Sequence, residues 1–146
     1  MQTNVFLHEL DHDRIVAAIL AAEAGSCGEI RVHVTNQPAT DVEAAARAQF
    51  EKLEMTKTAL RNGVLIYVAP KSQKFAVIGD AGIHEKCGPD FWPGIAAAME
   101  EDFRGGRFTE GIVKGVAAAG AQLARHFPRE GTAPDVDELP NEVTRD

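Results

Sequence analysis

Length, composition and charge limit what this chain can be. Its 146 residues, 45% apolar and 25% charged, are typical of one globular domain that buries a core. The formal net charge of −7 disfavours a nucleic-acid surface, which needs clustered Lys and Arg, but permits a cation as a ligand.

Its N-terminal region and its two cysteines indicate the compartment. The apolar run Ile15–Ala22 is too short to span a bilayer, and no basic leader precedes it. We therefore expect a cytoplasmic protein without a signal peptide or membrane anchor. Two cysteines, Cys27 and Cys87, do not make a disulfide framework, so we expect two reduced thiols.

The first half of the chain predicts a helix followed by a βαβ unit. Residues 11–24 carry an apolar stripe at helical spacing. Residues 29–35 alternate strictly, which predicts a strand with one polar face, at or near a sheet edge. Residues 41–53 predict a second helix, and the unbroken apolar run within 63–69 predicts a central strand parallel to the first.

The second half adds an antiparallel strand and two helices. Only the short polar stretch 70–74 separates the central strand from the apolar run 75–79, so the two should form a hairpin and the sheet should be mixed. A third helix is expected to end at residues 105–106, and a fourth to cover 109–127. The sequence therefore predicts one α/β domain over residues 1–128.

The remaining residues, 129–146, carry six acidic and two basic residues and few apolar ones. We expect an acidic, largely irregular C-terminal tail in which Leu139 and Val143 offer the apolar contacts for docking.

Strand directions bring several polar residues to one edge of the predicted sheet. Glu29 and Asn62 precede the two parallel strands, and the antiparallel strand returns Asp80 to the same edge. The expected loop 79–90 then adds Glu85. Carboxylates drawn together repel one another unless a cation holds them. We therefore expect these four residues to be metal ligands.

Calcium is the ion that this set of ligands favours. Ca²⁺ takes about six to eight oxygens from carboxylates, amides, backbone carbonyls and water. His84, in the same loop, would allow a softer divalent ion. The competing interpretation is that the acidic residues face water or cap the following helix.

A catalytic interpretation has weaker support. His84 next to Glu85 is a weak candidate for an acid/base pair, but no activated nucleophile accompanies it. The stretch "HEKCG" begins like a zinc-protease motif, yet Gly88 stands where the second histidine is required.

Three stretches resemble a known family. "RNGVLIYVAP" (61–70), "KFAVIGDAGIHE" (74–85) and "FRGGRFTEGIVKGV" (103–116) are similar to the TPM domain family, and the resemblance covers roughly residues 10–128. It implies a three-layer α/β/α sandwich. It implies no single shared reaction, because acid-phosphatase activity is ascribed to some members, Ca²⁺ binding to others, and assembly or repair roles to further ones.

Three functions follow as hypotheses. The first is a Ca²⁺-binding module that works in stress, repair or assembly through protein partners. The second is a low-turnover, metal-assisted acid phosphatase in which Asp80 and Glu85 hold the ion, His84 is the acid, and Arg61 or Lys86 binds phosphate. The third is an interaction domain without metal. This hypothesis predicts that Glu29, Asp80 and Glu85 do not converge.

Overall fold

The computed structural model describes residues 2–58, 60–88, 91–128 and 143–146. Within these ranges the helices are α1 (Thr3–Glu9), α2 (His12–Ala24), α3 (Val42–Lys52), α4 (Ala81–Cys87), α5 (Phe91–Arg104) and α6 (Phe108–His126). The strands are β1 (Glu29–Val34), β2 (Gly63–Ala69), β3 (Lys74–Gly79) and β4 (Val143–Arg145). No helix of the described residues is both long and apolar enough to cross a membrane.

The sheet is mixed, as predicted, and has the order β3-β2-β1-β4. β2 pairs antiparallel with β3 and parallel with β1. The prediction that β1 lies at or near an edge of the sheet is confirmed, because among the described strands only the three-residue β4 lies beyond it. β4 pairs with its other side, and all six residues of β1 are buried. Three residues are too few to show the alternation that identifies a strand, so β4 escaped detection.

Helices cover both faces of the sheet. On one face, alternate residues of β1 and β2 pack against α2, α5 and α6, with Ile30, Val32, Val64, Ile66, Ile19, Met99, Ile112 and Val116 among the buried members. On the other face, Leu65 and Tyr67 pack against Ala46 and Phe50 of α3. The chain is therefore the expected α/β/α sandwich, and burial of both faces explains why β2 is apolar throughout.

The glycines of α6 allow close packing against α5. A Cβ atom added at Gly115 would lie 2.5 Å from the sulfur of Met99, and one at Gly111 would lie 2.5 Å from the ring of Phe103. Glycine inside a helix costs about 1 kcal/mol relative to alanine. The close approach of α6 to α5 compensates for this cost.

Polar contacts hold β4 and the residue after it against β1. His33 Nδ1 lies 2.7 Å from Thr144 Oγ1, and His33 Nε2 lies 2.9 Å from Asp146 Oδ1. Thr35 Oγ1 and the backbone N–H of Asn36 donate to Asp146 Oδ2 at 2.6 and 2.7 Å. We call these five residues the C-terminal clasp. Residues 143–145 thus form a strand where irregular structure was expected, whereas 129–142, with Leu139, lie outside the described residues.

We expect the clasp to make stability depend on pH near neutrality. Burial of the imidazole lowers the pKa of His33, and this outweighs the opposing hydrogen bond and charge of Asp146. Between the folded pKa and the unfolded value of 6.5, the unfolded chain binds more protons. The free energy of unfolding should therefore fall as the pH drops below about 6.5.

Urea denaturation between pH 5 and pH 8 measures this dependence. We expect a weaker dependence in His33→Gln than in the wild type, while His8→Gln, which changes an exposed histidine, should match the wild type. If the free energy of unfolding changes equally with pH in His33→Gln and in the wild type, the role assigned to His33 is contradicted. Asp146 does not confound the comparison. Burial raises the pKa of Asp146, but hydrogen bonds from Thr35, His33 and Asn36 outweigh this effect and lower the pKa. The stability that Asp146 contributes is therefore lost only in more acidic solution.

Candidate functional site

Three of the four predicted site residues lie around Gly63, at the edge where β2 begins. Glu29 pairs with Gly63 in the parallel register, and its N–H points to the carbonyl of Asn62 at 3.4 Å. The N–H of Asp80 donates to the carbonyl of Gly63 at 3.0 Å. The backbones of Glu29, Asn62 and Asp80 therefore meet at one place, which we call the Gly63 edge.

Asp80 is the most strongly engaged side chain of the Gly63 edge. Its Oδ1 accepts a hydrogen bond from the N–H of Ala81, so Asp80 is the N-cap of α4. Arg61 donates Nε to Oδ2 and Nη2 to Oδ1, both at 2.7 Å, which is a bidentate ion pair. The Asp80 side chain is 5% exposed and that of Arg61 is 49% exposed. The arginine therefore neutralises a buried carboxylate from the solvent side.

Asn62 contributes a buried oxygen without a hydrogen bond. Its residue is 1% exposed, and its Nδ2 donates to the carbonyl of Cys27 at 3.1 Å. Its Oδ1 is buried and has no hydrogen-bond partner among the described residues. A buried acceptor left in this state costs roughly 1–3 kcal/mol. This makes Oδ1 the atom of the Gly63 edge with the clearest capacity to accept a ligand.

The expected loop 79–90 was wrong, because residues 81–87 form helix α4. The helix begins because the carboxylate of Asp80 caps it, the role that the competing interpretation gave to such acids. Glu85 and His84 lie on exposed positions of α4, whereas Glu29 is 3% exposed and Asp80 is 5% exposed. Within residues 2–58, 60–88, 91–128 and 143–146, no three His, Cys, Asp or Glu side chains form a group suited to holding a metal ion.

Lys86 and the two cysteines have different surroundings: Lys86 contacts Phe127, whereas the sulfur of Cys27 accepts from Asn62 Nδ2 at 3.8 Å. The ammonium group of Lys86 lies 5.0 Å from the ring centre of Phe127, a cation–π contact. Cys27 is exposed, Cys87 is half-buried, and both are free thiols. Burial raises the pKa of the Cys87 thiol, so it is a poor nucleophile at neutral pH.

A cavity of 730 Å³ lies at the opposite end of β2, and sequence analysis missed it. Its walls come from six helices and strands, so no single stretch of sequence reveals it. We call it the aromatic pocket, because it is lined by the phenylalanines Phe6, Phe75, Phe103 and Phe108. Lys74, Glu100 and Arg104 are among the polar residues that line it.

A family model for the TPM domain matches residues 2–122, which include both the Gly63 edge and the aromatic pocket. The chain belongs to the TPM domain family. The resemblance found in the sequence is therefore confirmed. No curated protein matches this TPM domain.

Two solved structures resemble this TPM domain. One is the NMR structure of BA42 from the psychrophilic bacterium Bizionia argentinensis, at 40% identity and a TM-score of 0.85. The match covers 94% of this chain and 96% of BA42. The other is the N-terminal domain of a protein from P. gingivalis, at 21% identity and a TM-score of 0.59, covering 79% of this chain and 76% of that one. The second likeness supports the fold alone.

Proposed function

We propose that this TPM domain is a divalent-cation-binding module and that Ca²⁺ is the ion bound at the Gly63 edge. The observation that carries the proposal is the buried Oδ1 of Asn62, which has no hydrogen-bond partner among the described residues and lies at the edge where the backbones of Glu29 and Asp80 meet. Amide and carboxylate oxygens are the ligands that Ca²⁺ prefers. The net charge of −7 favours attraction of a cation.

Binding requires an exchange of partners at Asp80. The carboxylate now faces the guanidinium of Arg61, so a cation that uses Asp80 must compete with that ion pair. The Arg61 side chain is half exposed, and it can be solvated after it leaves. Glu85, which is exposed in the second half of α4, is the further carboxylate assigned to the ion. The competition predicts weak affinity, on the order of 10⁻⁴ to 10⁻³ M.

Calorimetric titration of Ca²⁺ into metal-stripped protein tests the proposal. We expect saturable binding by the wild type and its loss in Asp80→Asn/Glu85→Gln. Arg61→Gln should bind at least about threefold more tightly than the wild type, because it removes the competing cation. The matched control is Glu43→Gln/Glu54→Gln, which neutralises two exposed, ion-paired acidic residues elsewhere and should bind like the wild type.

Two results would reject the cation site. One is the absence of heat together with no Ca²⁺-dependent rise in melting temperature. The other is equal affinity in the wild type and in Asp80→Asn/Glu85→Gln, which would locate the ion elsewhere. Either result would favour the interaction domain without metal, which agrees with the exposed position of Glu85 on α4.

We also propose that the module acts through a protein partner in stress, repair or assembly, as the family resemblance suggests.

The second candidate function is the metal-assisted phosphatase. It is favoured by Arg61, a half-exposed cation at the Gly63 edge that could receive phosphate. Hydrolysis of p-nitrophenyl phosphate with added Ca²⁺ or Mg²⁺, lost in both Arg61→Gln and His84→Gln, would support the enzyme over the binding module.

A further inference from the structure

We propose that the aromatic pocket binds a small carboxylate with an apolar tail. The tail lies along the phenylalanine wall, and the carboxylate is held at the rim by Lys74 and Arg104. The pocket is at the other end of β2 from the Gly63 edge, so this proposal does not depend on the cation site.

The wall is a continuous set of packed rings. The ring centres of Phe6 and Phe108 are 4.8 Å apart, and those of Phe75 and Phe103 are 5.3 Å apart in an edge-to-face contact. Phe103 and Phe108 complete the series at 6.1 Å. Only Phe6 is fully buried, while the other three rings keep part of their surface open. Partly open aromatic rings that line a cavity offer apolar surface to a ligand.

The rim carries more positive than negative charge. Lys74 Nζ donates to the carbonyl of Thr40 at 3.1 Å, a neutral partner that leaves the ammonium charge in place. Arg104 Nη2 donates to Glu100 Oε1 at 2.6 Å, and its side chain is 77% exposed. Two cationic groups and one carboxylate thus line a cavity in a chain whose net charge is −7. This local reversal of charge favours an anionic head group.

The size of the cavity favours a small molecule over a protein surface. Its 730 Å³ lies within the range of about 300–1,000 Å³ that small-molecule pockets occupy. A stable protein–protein interface buries about 800 Å² on each partner, which needs a wider surface than one concave pocket. An alkyl carboxylate and an aryl carboxylate share the required chemistry, and the experiment separates them.

NMR titration of the ¹⁵N-labelled full chain tests the proposal, with octanoate as the alkyl probe and 3-phenylpropanoate as the aryl probe. We expect saturable shifts concentrated at residues 68–75 and 103–108 for at least one probe. Lys74→Gln/Arg104→Gln should weaken binding at least threefold. The matched control is Arg47→Gln/Lys57→Gln, which also removes two exposed cationic groups, here each ion-paired to a glutamate, and should bind like the wild type.

A variant that fills the cavity gives a second test. Val42 lines the pocket and is half-buried at the start of α3, so Val42→Trp should abolish the shifts while the dispersed amide spectrum of a folded chain remains. Equal affinity for octan-1-ol or octylamine would overturn the assignment of an anionic head group. Absence of saturable binding, or a response only to a peptide with a free C-terminal Phe, would overturn the small-molecule assignment.

Discussion

Gly82→Ala is expected to lower the free energy of unfolding by about 3 kcal/mol. Gly82 is the second residue of α4, and its N–H donates to the carbonyl of Arg61 at 2.8 Å. A Cβ atom there would lie 2.7 Å from that oxygen and closer still to the carbonyl oxygen of Leu60. Both contacts are with backbone, which cannot rotate away as a side chain can, so the helix start and the turn must separate.

Gly94→Ala is the matched control for this substitution. Gly94 is also a helical glycine, but a Cβ atom added there would meet no atom within 4 Å. Alanine should therefore stabilise α5 by about 0.5–1 kcal/mol. Urea denaturation of both variants measures the contrast. A Gly82→Ala midpoint equal to that of the wild type would show that α4 does not begin against the turn at residues 60–61.

Asp80→Ala is expected to cost about 2–3 kcal/mol of stability. Loss of an N-cap accounts for about 1 kcal/mol, and loss of the bidentate pair with Arg61 accounts for the rest. The stabilisation that the ion pair provides is reduced because the Arg61 side chain is half exposed to solvent, which screens the charges. Asp80→Asn should cost about 1 kcal/mol, because asparagine also caps helices well but carries no charge.

The control for Asp80→Ala is another capping aspartate, one that has no hydrogen bond from an arginine among the residues that the structure describes. Asp41 caps α3 by accepting from the N–H of Ala44, and it is exposed. Asp41→Ala should therefore cost only about 1 kcal/mol. A double-mutant cycle of Asp80→Ala with Arg61→Gln should give a coupling energy of about 1 kcal/mol. If both alanine variants unfold alike, the pair with Arg61 contributes no stability.

Sequence patterns predicted the framework wherever the pattern was long. The helical stripes of α2, α3 and α6 and the unbroken apolar run of β2 each extend over at least six residues, and the structure confirms all four elements. β1 was recognised as a strand near a sheet edge, but the strand that covers its outer side was not predicted. Its neighbour β4 comes from the far end of the chain, and strand period alone does not specify which strands pair.

Strand direction predicted where the backbones meet at the Gly63 edge, but not where the side chains point. The Asp80 carboxylate turns toward Arg61, and the Asn62 amide turns toward Cys27. These directions depend on the positive φ of 51° at Arg61 and on the cap of α4, which sequence spacing does not encode. The aromatic pocket was harder still to predict from the sequence. Two of its lining residues, Phe103 and Phe108, lie in a stretch that carried the family resemblance, but nothing in that stretch indicated a cavity.

The late position of β4 has a consequence for how this protein folds during synthesis. His33 and Thr144 are 111 residues apart, so β1 is made long before the strand that covers its outer side. Closing so long a loop is entropically costly, and contacts of this kind form slowly. A growing chain on the ribosome thus presents one side of β1 as an open hydrogen-bonding edge, and such edges invite pairing with other chains. Nascent copies are therefore exposed to misassembly until residues 143–145 have been made, although the preceding strands and helices can already pack.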